Sequence, residues 1–185
     1  MARVSIAKHG LVEVNHLAAS ATRSIEAQTP VKAGIATLEN GMIVFVDRLN
    51  DVITFEKVSG PYLHFSTERY YTVGSRDKAS FIFNVDNNAE LPRIWKLEEG
   101  DMFHTNVLKT GSFADEAALN AALANGGKVF GYVDGTDGVI YASATPVDGE
   151  SVEFIIAAST MQDDTKGFKV LVNKADSVAA GVLSI

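Results

Sequence analysis

From residue 42 to 55 the chain reads Met-Ile-Val-Phe-Val, then a polar link from Asp47 to Asp51, then Val-Ile-Thr-Phe. β-Branched and aromatic side chains dominate both apolar runs, and Asp and Asn in the link suit a turn. The pattern predicts a β-hairpin, entered through an Asn40-Gly41 turn. YLHFSTERYYTVG, from Tyr62, predicts a further strand or two, with Tyr62, His64 and Ser66 alternating with Leu63 and Phe65. SFIFNVDNN, residues 80–88, predicts a short strand that ends in a turn cluster. LPRIWKLEEGDMFHTNVL, from Leu91, predicts a strand, a Glu-Gly-Asp turn and a returning strand, which together make a second hairpin. KVFGYV, GVIYASA, VEFIIAAS and GFKVLVNKA predict the last strands, separated by turns such as Asp134-Gly135-Thr136-Asp137-Gly138 and Asp148-Gly149.

One stretch has a helical pattern. AALNAALAN is rich in Ala and Leu, Ser112 is placed to cap it with Asp115 three residues on, and Asn125-Gly126-Gly127 supplies the stop. The first 30 residues mix apolar and polar positions without a sustained period and end at Pro30, which favours an extended Thr29. Short strands, close turns and a single helix predict a mainly β fold. It is a β-barrel or β-sandwich with one short inserted α-helix at about 112–125 and an extended N-terminal arm. The arm, with short strands, spans residues 1–34, and a single β-rich domain spans 35–185. A doubly wound α/β fold needs several helices between its strands, and the pattern offers one.

Composition narrows the chemistry. With 185 residues and 46% hydrophobic content, the chain is long enough to bury a core without staples. It has no Cys, which removes disulfides, iron–sulfur clusters, thiol catalysis and Cys-ligated zinc. The net charge of −7 and the lack of any Lys/Arg-rich run leave no nucleic-acid footprint. The charge is uneven. Residues 1–37 hold Arg3, Lys8, Arg23 and Lys32 against Glu13 and Glu26, so a segment of +2 precedes a body of −9. This start suits an arm that meets acidic neighbours. No apolar run approaches the roughly 20 residues of a membrane span, and no signal-length apolar core opens the chain.

Candidate chemistry is sparse. His9, His16, His64 and His104 show no helical pair of metal-site spacing. DGTDG lacks the carboxylate ladder of a calcium loop and reads as a tight turn. Glu98, Glu99 and Asp101 read as a wet hairpin tip. No nucleophile elbow, P-loop or dinucleotide fingerprint occurs. The aromatic set Tyr62, Phe65, Tyr70, Tyr71, Phe81, Phe83 and Trp95 fits a sheet core, with a glycan-binding platform as the alternative. No catalysis and no cofactor are expected.

The stretch LPRIWKLEEGDMFHTN, at 91–106, resembles a motif of small virion structural proteins of tailed phages, of the form L…GD.F.TN. ATLENGMIVFVD, at 36–47, resembles the strand entry of β-rich phage head decoration (cement) proteins. The two stretches cover a small part of the chain. The resemblance implies a homo-oligomer, trimer or dimer, bound to the major capsid protein on the outside of the shell, made in the bacterial cytoplasm and without enzymatic activity. Under it, Arg3, Lys8, His9 and Arg23 of the arm, with Trp95 and Phe103, are the expected assembly contacts. A tail-tube protein and a carbohydrate-binding head-fibre base are the alternatives. The tube would need a long hairpin, for which VDRLNDVITFEKV is the short candidate.

Overall fold

A computed structural model describes residues 12–18, 25–66, 82–84, 91–160 and 166–176, the segments 12–18 and 82–84 by backbone only. It is mainly β. In chain order the strands are β1 (Val12–Ala18), β2 (Ile25–Glu26), β3 (Thr37–Glu39), β4 (Ile43–Asp47), β5 (Val52–Thr54), β6 (Tyr62–His64) and β7 (Ile82–Asn84). There follow β8 (Ile94–Lys96), β9 (Met102–Thr105), β10 (Leu108–Lys109), helix α1 (Glu116–Leu123), β11 (Lys128–Tyr132), β12 (Ile140–Ser143), β13 (Val152–Thr160) and β14 (Lys166–Ala175). Seven strands form one sheet in the order β1-β9-β14-β13-β11-β12-β10. Five form a second, β2-β8-β6-β4-β5, and β3 pairs with β7.

The two large sheets share a core. Ile43, Phe45 and Leu63 of the five-stranded sheet pack with Phe103, Phe154, Ile156, Phe168 and Val170 of the seven-stranded sheet. Leu119 and Leu123 of α1 join the same cluster. The five-stranded sheet is buried on its other face too, where Val44, Val46 and Tyr62 meet Leu38, Val31 and Ile35. That double burial explains why Ile43 to Val46 is an unbroken apolar run rather than an alternating one. It also explains why Tyr62, Leu63 and His64 are all buried.

The hairpin of β4 and β5 forms as predicted, with Phe45, Val46 and Asp47 opposite Thr54, Ile53 and Val52. The hairpin expected at 91–106 does not form. β8 belongs to the five-stranded sheet and β9 to the seven-stranded one. Residues 97–101 are instead a corner between sheets. Leu97 N–H donates to the Pro61 carbonyl on one side, and Gly100 N–H donates to the Val172 carbonyl on the other, both at 2.9 Å. Asp101, expected at a wet tip, is 1% exposed, and its carboxylate accepts from Glu98 N–H at 2.8 Å.

The helix is shorter than expected. Its N-cap is Asp115, whose carboxylate accepts from Ala118 N–H at 2.8 Å, with Glu116 favourably placed in the first turn. Ser112 is committed elsewhere. Its N–H donates to the Ala142 carbonyl and its hydroxyl accepts from Ala144 N–H, so it extends the β12 edge. The stop is as predicted, with Asn125 and Gly126 both at positive φ. Two strands lie in the segment read as an arm with short strands, and both join a large sheet, β1 on β9 and β2 on β8.

Candidate functional site

β11, β13, β14 and β9 alternate regularly between buried and accessible positions. Their buried residues fill the shared core, so the accessible ones form the outer face of the seven-stranded sheet. Register aligns those residues across the strands. Phe130 stands opposite Ile155, Ile155 opposite Leu171, and Leu171 opposite Met102. These four apolar residues make one continuous row, and none of them belongs to a buried cluster. Leu171 is 36% exposed and the other three are half-buried. A neighbouring row runs Lys128, Ala157, Lys169, His104 by the same pairings. Lys128 and Lys169 are exposed and form no ion pair among the described residues. On the other side of the apolar row lie Tyr132 and Glu153, and there a β-bulge sets both Asn173 and Lys174 against Glu153, with Lys174 in register and Asn173 Nδ2 donating to Glu153 Oε1 at 2.5 Å. An apolar stripe between a basic row and a polar one has the composition of a protein-docking surface.

Two polar clusters compete for attention and both are structural. His64 is fully buried. Its Nδ1 lies 2.9 Å from the Glu39 carbonyl, which only accepts, so Nδ1 carries the proton. Nε2 then accepts from the Ser66 hydroxyl at 3.0 Å. This is the form of a base and nucleophile pair, but Ser66 is 6% exposed and its oxygen also accepts from Arg93 N–H. Ser66 N–H in turn donates to Asn40 Oδ1 at 2.9 Å. The arrangement ties β6 to the Asn40 turn and to the start of β8. Burial pushes the His64 pKa down to about 4, so the ring is neutral.

The second cluster joins Lys109, Asp137 and Tyr141 at the β10 edge. Lys109 Nζ pairs with the Asp137 carboxylate and meets the Tyr141 hydroxyl at 2.9 Å. Burial opposes the ammonium charge, yet the bonds to Asp137 and Tyr141 prevail and raise its pKa. DGTDG is a pair of tight turns. Asp134 accepts from Thr136 N–H and Asp137 from Val139 N–H. Among the described residues no group of three or more His, Asp or Glu side chains is placed to hold a metal ion, and no helix is long and apolar enough to cross a membrane.

Of the expected assembly contacts, Arg3, Lys8, His9 and Arg23 lie outside the described residues, as do Tyr70, Tyr71 and Phe81 of the aromatic set. Phe103 is fully buried with its ring edge on Phe154, 6.5 Å between centroids. It serves the core, and its strand neighbours Met102 and His104 take the outer face. Trp95 is half-buried against the shared core. The docking face escaped the sequence reading because alternation marks which residues share a face, but not which strands align them. The two stretches that carry the phage resemblance do meet. A Cβ on Gly41, at φ +90°, would stand 2.4 Å from Thr105 Oγ1, so the NG turn and the TN end of the second stretch close on each other at one inter-sheet junction. Comparison with protein-family models, with curated proteins and with solved structures found no match to this chain.

Proposed function

We propose that the chain is a non-catalytic structural protein of a tailed-phage head that binds the outer surface of the shell and stabilises its lattice. The observation that carries this reading is the apolar row on the accessible face of the seven-stranded sheet, flanked by two lysines that form no ion pair among the described residues. A protein that works alone has little use for such a row on its widest face. The contact between the two resembling stretches at Gly41 and Thr105 adds support, since it makes one structural unit of them. The partners are the major capsid protein and further copies of this chain. Many weak contacts on a repeating lattice add through multivalency, so no single interface has to be tight. A tail-tube role calls for a long hairpin; β4 and β5, the candidate, pair over only three residues each, and the long β13–β14 hairpin lies inside the seven-stranded sheet between β11 and β9.

The test is the protein content of gradient-purified particles, quantified by mass spectrometry. Hundreds of copies banding with DNA-filled heads are expected, released by mild chaotrope while the shell persists. Copies that follow isolated tails, or absence from particles, would overturn the reading.

A further inference from the structure

The outer face of the seven-stranded sheet is complementary to itself. Take the row Phe130, Ile155, Leu171, Met102 as a line. Two residues from it on one side of each strand stand Lys128, Ala157 and Lys169, and on the other side stand Tyr132, Glu153 and the bulged pair Asn173 and Lys174, of which Lys174 is in register with Glu153. A twofold axis lying along that line brings a second copy face to face and exchanges the two sides. Each strand then meets its own counterpart. Lys128 faces Tyr132, Lys169 faces Asn173, and Glu153 faces Ala157. Ala157 is small, and its cross-strand neighbours are Lys128 and Lys169. The Glu153 carboxylate of one copy therefore enters a gap between two ammonium groups of the other, and symmetry makes two such contacts.

We infer that this face pairs two copies of the chain, with Glu153 of each seated between Lys128 and Lys169 of its partner. Charge selects the axis. A twofold axis along the strands would instead set the lysine row against itself and leave both carboxylates unmatched. Among the described residues Lys128 and Lys169 form no ion pair, Glu153 accepts from the neutral Asn173, and its register partner Lys174 is engaged by Asp176 at 3.3 Å and by the Glu150 carbonyl at 2.9 Å. Aligned face packing of this kind is how sheets make sandwiches, and a twofold interface needs one patch complementary to itself.

The size of the face sets the strength. Four strands spaced ~4.8 Å and five residues of ~3.3 Å give a patch of roughly 19 by 17 Å. Over both copies that is about 650 Å2 in projection, below the roughly 1,000 Å2 of a stable specific interface. The dimer is thus a weak one, and salt weakens it further. The inference rests on the assembly reading of this face and not on the shell as its destination.

Sedimentation velocity on the full chain, over about 1 to 200 µM, reads the pairing. The wild-type chain is expected to pass from monomer to dimer in that range. Glu153→Lys alone, and Lys128→Glu with Lys169→Glu, are each expected to weaken pairing by at least about tenfold while circular dichroism stays native. Mixed in equal amounts, these two variants are expected to recover a heterodimer, visible by native mass spectrometry, because both contacts are then matched. Misfolding cannot produce that recovery. A wild-type chain that stays monomeric throughout, or a mixture that does not associate, would overturn the inference. If the monomer is nonetheless retained by purified shells and Leu171→Asp abolishes retention, the face is an assembly surface whose occupant is the shell, and self-pairing is refuted.

Discussion

His64 shows how a single residue's burial becomes a property of the protein. The ring is neutral in the fold, with a pKa of about 4, because burial disfavours the imidazolium. In the unfolded chain it titrates near the ordinary value of 6.5. Between those values the unfolded chain binds more protons than the folded one, so stability falls as pH falls through that window. It is fully present above about pH 6.5, and the total loss by pH 4 is about 3 kcal/mol. The donor role of Nδ1 makes a control available. Asn at this position keeps an N–H for the Glu39 carbonyl but does not titrate. Urea denaturation at pH 7, 5.5 and 4.5 is expected to show a steeper stability loss in the wild type than in His64→Asn. Parallel losses in the two proteins would show that the ring is not what makes the fold acid-sensitive. Little of this was visible from the residue itself. His64 lies in an alternating segment, and only the second buried face of its sheet removes it from water.

At the scale of elements, strands and turns were legible and partners were not. The runs at 42–55 and the four final segments declare themselves by β-branched content and by Gly and Asp punctuation, and each forms. LPRIWKLEEGDMFHTN has the same punctuation, yet it turns a corner between sheets. A Glu-Gly-Asp link reads alike whether the next strand returns to its neighbour or crosses to another sheet. What decides is distant: the Pro61 and Val172 carbonyls that take Leu97 N–H and Gly100 N–H. The helix was found by composition but misplaced at its start, because Ser112 is claimed by β12 through Ala142 and Ala144. The cap assignment is open to direct test. Asp115→Ala removes the acceptor for Ala118 N–H and is expected to lower stability by about 1 kcal/mol. Ser112→Ala leaves the helix cap intact, so its helical signal in circular dichroism should match the wild type. A loss of helix on Ser112→Ala with none on Asp115→Ala would return the cap to Ser112. The docking face lies beyond such local signals, since it exists only once β9, β14, β13 and β11 are side by side in a fixed register.

For the molecule as a whole, the decisive feature is that the two large sheets share one main interior. Ile43, Phe45 and Leu63 from one sheet share a cluster with Phe103, Phe154 and Phe168 from the other, and the corner at 97–101 is bonded to both. Opening either sheet exposes the shared cluster, so neither gains by unfolding first. The chain offers two independent reporters. Its single Trp, Trp95, sits on β8 in the five-stranded sheet, while most strand residues belong to the seven-stranded sheet and dominate far-ultraviolet circular dichroism. Denaturant curves followed by Trp95 fluorescence and by circular dichroism are expected to coincide in midpoint and slope. Phe103→Ala, which opens the shared core from β9, is expected to lower both midpoints together, by about 3 to 5 kcal/mol of stability. If the fluorescence transition separated from the circular dichroism transition, or if Phe103→Ala moved only one of them, the sheets would be distinct folding units joined at a corner. Coincidence matters for function as well. The proposed docking face on one sheet is rigid only if the other sheet backs it, and the proposed lattice role would need that backing across its whole width.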